Sequence, residues 1–398
     1  MRILSTLTYY RPHYSGLTIY AEREARALAV RGHHVTILTS QFDKSLPEHE
    51  IRDGVEVIRL KVRLRVSKGV IMPDMPLKAW KLARQADVVQ LHVPQLDAAP
   101  IALISRMLGK PVVLTYHCDL QLPKGLMHRI ANQVSNLANQ ITARAASVIV
   151  QNTLDYAENS AFLNPYLNKT REVFPPVDLT PITQADRVSF REKYSIQPGQ
   201  RLVGIAARLA TEKGVEYLAQ ALPAVLEKHP QARVLFMGPH QNIVGEENYA
   251  ARLEPLISSL GEHWTFLGIL SPEEKVAFFQ ECEVTVLPSI NSTESYGIVQ
   301  VESLANNTPV IATDLPGVRV PVQKSGSGLV VPPRDSEALA LAIIAVLDHP
   351  AAYRGQPEII VHSSTPEAVA AEYETIFESL LNPGKIHLPE AMKRNEDI

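Results

Sequence analysis

Short, β-branched apolar segments alternate along the chain with longer segments whose apolar residues recur at helical spacing. The strands predicted in the first half are MRILSTL, HVTILTS, VEVIRL, DVVQLHV, PVVLTYH and SVIVQN. Helices are predicted between them, for example from about Leu17 to Arg31, where Gly32 would end the helix. Strands that alternate with helices of ten or more residues indicate βαβ units, and therefore an α/β fold with parallel sheets.

Prolines interrupt this alternation near the middle of the chain. Pro175, Pro176 and Pro181 can continue neither a helix interior nor a central strand, and the pattern restarts afterwards with RLVGIAA. We therefore predict two Rossmann-like domains, residues 1–176 and 177–365. A last helix, about 366–381, is expected to pack back on the first domain, and residues 382–398 form a polar tail.

The composition limits the classes of function. A net charge of −3 over 398 residues gives no general electrostatic attraction to nucleic acid. Cys118 and Cys282 form no CxxC pair, which is typical of a reducing cytosol and argues against a disulfide framework or a structural zinc site. The longest apolar stretch, LALAIIAVL, is about half of a membrane span. We expect a cytoplasmic protein that can rest on the inner face of a membrane without crossing it.

The segment TESYGIVQVESLANNTPVIATD carries the most chemistry. Glu294 and Glu302 are separated by seven residues, and a helix is predicted from about Tyr296 to Asn306. A helix N-terminus has unpaired amides and a partial positive charge, which suits a phosphate. Eight helical residues rise about 12 Å, so Glu294 would face a sugar and Glu302 a ribose. The alternative is that both are solvated helix residues. The unpaired amides would belong to Gly297, Ile298 and Val299.

Further polar residues follow other predicted strands at their carboxyl ends, where parallel sheets bind ligands. Arg208 and Lys213 follow RLVGIAA and could neutralise a departing diphosphate. His117 ends PVVLTYH, and Gly16 lies between the first strand and the first helix, where the backbone can approach a ligand. Each of these residues could instead be structural.

In combination these motifs resemble glycosyltransferase family 4, a retaining family with the GT-B architecture of two Rossmann-like domains facing a central cleft. The likeness covers nearly the whole chain and is strongest over 201–333. It rests on the E-x7-E of Glu294 and Glu302, the R-x4-K of Arg208 and Lys213, NTPVIATD and GSGLVVPPRD, together with the glycine after the first strand and His117.

The resemblance implies a role for each matching residue. Arg208 and Lys213 would bind the donor diphosphate, Glu294 the donor sugar, Glu302 the ribose, and His117 the sugar near the reacting face. The expected catalytic residues are His117, Arg208, Lys213 and Glu294. The expected donor-binding residues are Gly16, Arg208, Lys213, Tyr296, Gly297, Ile298, Val299 and Glu302.

The resemblance implies a nucleoside-diphosphate sugar as donor substrate, UDP- or GDP-linked, and no separate cofactor. The chain has no Asp-x-Asp motif, so no metal is implied. The sequence also departs from the family pattern. Ser15 and Gly16 replace paired glycines, Pro175 and Pro176 replace asparagine-glycine at the hinge, and Val320 stands near a usual glutamate. Asn307 replaces a glycine after the helix, and asparagine is the next best residue for a left-handed cap.

The acceptor is expected to bind the first domain. The segment RLKVRLRVSKG would place a basic ridge on one face of a strand, which could hold anionic lipid headgroups or a phosphorylated acceptor. The alternative is an ordinary half-buried strand with a solvated face. The ridge would consist of Arg59, Lys61, Arg63, Arg65 and Lys68.

The expected function is hexosyl transfer to a hydroxyl of a glycan, a glycolipid or polyprenyl-linked acceptor, or a small molecule, as in polysaccharide or glycolipid biosynthesis. Two alternatives stay open. One is a GT-B enzyme of another class, an epimerase or a phosphorylase; the other is a non-catalytic nucleotide-sugar-binding protein. A dehydrogenase is disfavoured, because GxGxxG is absent after every predicted strand.

Overall fold

The computed structural model describes residues 1–66, 69–119, 126–243 and 245–382. Within them the chain forms one eight-stranded and one six-stranded sheet, plus a small hairpin. The predicted α/β fold with parallel sheets is therefore confirmed. The described helices are α1 Gly16–Val30, α2 Met75–Gln85, α3 Ala98–Met107, α4 Leu126–Ala145, α5 Leu154–Asn159, α6 Gln184–Lys193, α7 Val215–Lys228, α8 Glu247–Ser259, α9 Pro272–Glu281, α10 Ile298–Leu304, α11 Val320–Ser325, α12 Ser336–Asp348, α13 Glu358–Val361 and α14 Pro366–Leu381.

The first sheet has the strand order β10-β9-β8-β7-β1-β2-β4-β3. The outermost pair, β3 and β4, is antiparallel, and the other recorded pairings in this sheet are parallel. The hairpin is formed by β5 and β6. The bounds are β1 Arg2–Thr6, β2 His34–Gln41, β3 His49–Arg52, β4 Val55–Lys61, β5 Leu64–Val66, β6 Gly69–Ile71, β7 Val88–Val93, β8 Val112–Tyr116, β9 Val148–Gln151 and β10 Thr170–Glu172.

The second sheet has the order β13-β12-β11-β14-β15-β16, and its recorded pairings are parallel. In both sheets, alternate strand residues enter separate apolar clusters, as Ile3 and Leu4 do on β1 and Leu202 and Val203 on β11. Because successive side chains point to opposite faces, both faces of each sheet are covered. The bounds are β11 Arg201–Ala206, β12 Ala232–Met237, β13 Trp264–Gly268, β14 Val284–Leu287, β15 Val310–Thr313 and β16 Gly328–Val331.

The last helix, α14, returns to the first sheet. Tyr373 and Phe377 are fully buried in the same apolar cluster as Tyr20 of α1. The Tyr373 and Tyr20 hydroxyls are 2.9 Å apart and hydrogen-bonded. The domain boundaries at 176 and 365 stay predictions, and of the expected tail only Asn382 lies within the described residues.

The predicted basic ridge is wrong at its first residue. β4 ends at Lys61 and β5 begins at Leu64, so the segment is not one continuous strand. Arg59 is 2% exposed, and its guanidinium donates to the Glu50 carboxylate and to the Pro47 carbonyl. A buried arginine needs such partners, and its charge is then not available to a ligand at the surface. Lys68 lies outside the described residues.

Two further expectations concern helices. Asn307 has φ 58°, so the expected left-handed residue after α10 is confirmed. Among the described helices, none has the length and apolar character needed to cross a bilayer.

Candidate active site

Arg208 and Lys213 lie in the loop between β11 and α7. A 3₁₀ turn, Thr211–Lys213, leads into Gly214, whose left-handed backbone (φ 61°) starts α7. A Cβ on Gly214 would be 2.1 Å from the Pro288 carbonyl oxygen, so glycine is required there. This close approach fixes Lys213 against the loop that follows β14. Arg208 forms an ion pair with Glu212, four residues on.

Glu294 lies in the loop after β14 and forms an ion pair with Lys213. Two of the predicted site residues, 81 positions apart, are therefore in contact. The helix after Glu294 is α10, which begins at Ile298 rather than near Tyr296. The predicted helical spacing between Glu294 and Glu302 is therefore wrong, because three residues of loop separate Glu294 from the first residue of the helix.

The start of α10 leaves backbone donors unpaired. In the described part of the chain, the amides of Gly297, Ile298 and Val299 have no recorded hydrogen-bond acceptor. Gly297 has φ 81°, and a Cβ there would be 2.3 Å from Leu287 Cδ2. The turn therefore depends on glycine. The Tyr296 side chain is 1% exposed and packs in an apolar cluster near Phe174, so only its backbone is available to a ligand.

Glu302 is buried between two cations from different parts of the chain. Its Oε1 accepts from Lys275 Nζ at 2.8 Å and from Arg23 Nη2 at 3.1 Å. Burial alone would raise the pKa of Glu302, but Lys275 and Arg23 outweigh it and hold that pKa below its ordinary value. The Arg23 guanidinium also donates to the Pro176 carbonyl and to Asp178, so it ties α1 to the connector and to α10.

His117 lies directly after β8, and its Nε2 is 3.1 Å from Nδ1 of His92 on the neighbouring strand β7. The two rings are stacked, and the Tyr20 ring meets His117 edge-on at 5.0 Å. Burial lowers the pKa of His117 to about 3. The His117 ring is therefore neutral at pH 7 and can offer one donor and one acceptor.

Gly16 is the first residue of α1, one turn before Tyr20. The preceding Ser15 caps the helix, with its hydroxyl accepting from the Thr18 amide at 3.2 Å. A Cβ on Gly16 would meet no atom of the described residues within 4 Å. The packing therefore does not require glycine there, and the space beside this helix start is open.

The carboxyl end of β8 and the Glu294 loop are joined by Tyr156. Its hydroxyl accepts from the Asp119 amide and donates to the Ser292 carbonyl, both at 2.8 Å. Cys118 lies at this end of β8. Burial raises the pKa of its thiol to about 12, and the charge of Glu294 acts in the same direction. Strand ends from the two sheets thus face each other.

The structure brings together Lys213 and Glu294 directly, and it places the end of β8 beside them. Glu302 lies at the contact between α1, α9 and α10. Sequence reasoning missed His92, Arg23, Lys275 and Tyr156. His92 had a signal, because it lies near the carboxyl end of β7, the strand next to that of His117. The other three residues lie on helices whose packing the sequence pattern does not reveal. Within the described residues, no group of three or more His, Cys, Asp or Glu side chains could hold a metal ion.

Two family descriptions match the chain. Residues 186–358 match "Glycosyl transferases group 1", and residues 15–171 match "Glycosyl transferase 4-like domain". Together they include the Arg208, Lys213, Glu294 and His117 positions.

Relatives of known name cover nearly the whole chain. An uncharacterized glycosyltransferase of Methanocaldococcus jannaschii is 24% identical over 87% of this chain and 89% of its own length. The phosphatidyl-myo-inositol mannosyltransferase of Mycolicibacterium smegmatis is 24% identical over 100% of this chain and 98% of its own.

Solved structures share the fold. Sucrose-phosphate synthase from Thermosynechococcus elongatus is similar with a TM-score of 0.74, 21% identity, and coverage of 96% of this chain and 100% of its own. Anabaena HepE in complex with UDP and glucose is similar with a TM-score of 0.75, 20% identity, and coverage of 95% and 100%. The fold is therefore GT-B, with two Rossmann-like domains.

Proposed function

We propose that this chain uses a UDP- or GDP-linked hexose as donor and retains the configuration at the anomeric carbon of that hexose. The chain belongs to the retaining glycosyltransferase family 4 and transfers a sugar from a nucleotide sugar. The contact of Lys213 with Glu294 carries the proposal. It joins a cation suited to a phosphate and a carboxylate suited to sugar hydroxyls on two adjacent strand ends. The M. smegmatis relative is named a mannosyltransferase, and the HepE structure holds UDP and glucose, which supports a hexose donor.

The donor diphosphate would bind between Arg208, Lys213 and the unpaired amides at the start of α10. Each cation now pairs with a carboxylate, Arg208 with Glu212 and Lys213 with Glu294. An incoming diphosphate would replace Glu294 at Lys213 and free that carboxylate for the donor sugar. His117 and the open space at Gly16 would border the sugar from the first sheet. Glu302 and Lys275 would meet the ribose side of the nucleotide.

In a retaining transfer the acceptor hydroxyl attacks the face from which the diphosphate departs. The bond from the anomeric carbon to the phosphate oxygen breaks, a bond to the acceptor oxygen forms, and the acceptor proton passes to the departing phosphate. This chemistry needs charge neutralisation and positioning more than a dedicated nucleophile. The cation pair Arg208 and Lys213 supplies the former without a bound metal.

The first test is thermal unfolding with UDP, GDP, ADP, CDP and NAD. A ligand at a hundred times its dissociation constant adds about 2.7 kcal/mol, which shifts the transition by a few degrees. We expect UDP or GDP alone to stabilise the protein. No response to any nucleoside diphosphate would contradict the proposal.

The second test separates the site residues from the fold. Lys213→Ala and Glu294→Gln should each lower transfer about 10²- to 10³-fold, the loss typical of one preorganised charge or donor. The matched control is Lys193→Ala, which removes a 57%-exposed lysine from its ion pair with Glu274 and should leave activity unchanged. Equal activity in all three variants would contradict the assignment of Lys213 and Glu294 to the donor site.

Acceptor dependence distinguishes transfer from the alternatives. An epimerase would convert the donor without an acceptor, and a phosphorylase would need inorganic phosphate. A non-catalytic binding protein would be stabilised by nucleotide and release none from the donor. We expect diphosphate release that increases when a glycan, glycolipid, polyprenyl-linked or small-molecule hydroxyl acceptor is added.

We further propose that α2 contacts an anionic membrane surface, in place of the ridge that Arg59 does not form. The side chains of Leu77, Trp80, Lys81 and Arg84 are exposed and follow the i, i+3, i+4, i+7 spacing of one helix face. The Arg84 guanidinium lies 4.9 Å from the Trp80 ring centroid. The helix contains no acidic residue, and aromatic and cationic side chains together suit the headgroup region.

Vesicle binding tests this contact. We expect binding to vesicles with phosphatidylglycerol and none to pure phosphatidylcholine, with a blue shift of Trp80 fluorescence. The variant Trp80→Phe keeps the buried Trp264 as background and should lose the shift. Equal binding to both vesicle types, or none to either, would refute an anionic-surface role for α2.

A further inference from the structure

A line of three side chains, the half-buried His117 and the buried His92 and Glu24, runs from the end of β8 into α1. His117 Nε2 is 3.1 Å from His92 Nδ1, and His92 Nε2 is 3.8 Å from Glu24 Oε2. His92 and Glu24 are each 1% exposed. The Ser5 hydroxyl lies 3.1 Å from His92 Nε2 and completes the contacts of that ring. No step of the proposed transfer uses Glu24 or His92.

The contact between the two imidazoles couples their protonation. A hydrogen bond between His92 Nδ1 and His117 Nε2 needs a proton on one nitrogen and a lone pair on the other. If His92 Nδ1 holds the proton, neutral His117 carries its own proton on Nδ1. If His117 Nε2 holds it, His117 Nδ1 has a lone pair. In the described part of the chain Nδ1 has no partner, so it is the nitrogen left for a ligand.

Glu24, at the other end of the line, decides whether His92 Nδ1 or His117 Nε2 holds the proton. Glu24 Oε1 accepts from Gln90 Nε2 at 2.7 Å, and Oε2, the oxygen nearest His92, has no hydrogen-bond partner among the described residues. Burial raises the pKa of Glu24 to about 8, so its carboxyl is neutral at pH 7. The titratable groups that face it are His92 from β7, Tyr20 from its own helix and Tyr373 from α14.

We propose that Glu24 is a positioning residue that sets, through His92, which ring nitrogen of His117 carries the proton. With Glu24 protonated, Nε2 of His92 keeps its lone pair, His92 Nδ1 donates to His117, and His117 presents an N–H at Nδ1. With Glu24 ionised, its carboxylate favours a proton on His92 Nε2, the hydrogen bond between His92 and His117 reverses, and His117 presents a lone pair. The inference rests on the proposed function, in which His117 borders the donor sugar.

The change balances as a single proton displacement. The Glu24 proton passes to His92 Nε2, the His92 Nδ1 proton passes to His117 Nε2, and the His117 Nδ1 proton leaves to solvent. No other bond changes. When the buried Glu24 carboxyl ionises, the proton that reaches solvent therefore leaves from His117 Nδ1, the nitrogen left for a ligand. At neutral pH the sugar meets a hydrogen-bond donor, which suits a hydroxyl oxygen as its acceptor.

Nitrogen-15 NMR of histidine-labelled full-length protein tests the proposal directly. Between pH 6 and 9.5 we expect the His117 tautomer to change from protonated Nδ1 to protonated Nε2, with a midpoint near that of Glu24. In Glu24→Gln the tautomer should stay fixed over this range. Glu22→Gln, on the same helix and paired with Arg11 and Arg26, is the matched control and should behave as the unmodified protein.

Donor kinetics supply the second readout. Exchange of one donor for an acceptor at His117 should raise KM for the nucleotide sugar about fivefold above pH 8, and Glu24→Gln should abolish that rise. A His117 tautomer that does not change with pH, or one that changes equally in Glu24→Gln, would overturn the inference. Stabilisation by nucleotide in the same protein would show that the proposed function survives that result. Lack of any nucleotide binding would instead contradict the proposed function.

Discussion

The contact between Arg23 and Glu302 gives a stability prediction whose size follows from burial. Arg23 side-chain exposure is 7% and that of Glu302 is 9%. Removing one partner of a buried pair costs about 3–5 kcal/mol, because the other charge stays buried without compensation. Glu302 keeps Lys275 at 2.8 Å, so Arg23→Ala should cost about 3 kcal/mol, at the low end of that range.

A matched control lies one turn further along α1. Arg26 pairs with the same Asp178 at 2.5 Å and with Glu22, but its side chain is 35% exposed. Exposed pairs contribute roughly 0.2–1 kcal/mol, so Arg26→Ala should cost about 0.5 kcal/mol. The two substitutions remove the same residue type from the same helix and from the same partner, Asp178, but only Arg23 is buried and contacts Glu302.

Thermal and urea unfolding followed by circular dichroism measure both variants. At roughly 2–4 °C for each kcal/mol, we expect Tm to fall by about 6–12 °C in Arg23→Ala and by about 1–2 °C in Arg26→Ala. A double-mutant cycle with Glu302→Gln should show a coupling energy of about 1–3 kcal/mol for Arg23. Equal losses in the two variants, or a coupling near zero, would refute the reasoning that Glu302 depends on Arg23.

Three other predictions follow. Because the pKa of Glu24 is raised from 4.5 to about 8, the folded protein holds a proton that the unfolded chain releases, so stability falls as pH rises through that window. Glu24→Gln should remove up to about 5 kcal/mol of this loss, seen as urea midpoints that change less between pH 5 and 8.5. Gly214→Ala should lower the free energy of unfolding by roughly 2 kcal/mol or more and lower transfer, since its Cβ would lie 2.1 Å from the Pro288 oxygen. The control, Gly199→Ala, has φ 84° and no atom of the described residues within 4 Å of its Cβ, and should lower it by about 1 kcal/mol in the same unfolding assay. Treatment with a chelator should leave transfer unchanged, and activity restored only by added divalent metal would contradict the metal-free proposal.

The architecture could be predicted from the sequence because it depends on local pattern. Each predicted strand is a short β-branched run, and helices of ten or more residues are the usual connection between parallel strands. Small elements escaped prediction. The antiparallel β3, the β5–β6 hairpin and the three-residue β10 are too short for their periodicity to be read, and the polar residues of RLKVRLRVSKG suggested one strand where the chain turns.

Part of the candidate site was also predictable. Lys213 and Glu294 each follow an apolar strand, and β11 and β14 are neighbours, so their loops meet at one edge. The start of the helix that contains Glu302 was misjudged, because the predicted first turn is replaced by a glycine turn at Gly297. No sequence pattern showed that Tyr296 is buried, since a tyrosine beside a glycine loop suits either a ligand or a core.

The sequence by itself determined the α/β fold, the two sheets, the family and the residue types of the candidate site, since these follow from hydrophobic period and motif spacing within single segments. Only the tertiary structure decided which charges are buried and what they touch. It paired Arg23 with Glu302, 279 positions away, turned Arg59 inward, and lined up Glu24, His92 and His117. The reason is physical: the free energy of a charge depends on its solvation and its partners, and both are set by how distant segments pack.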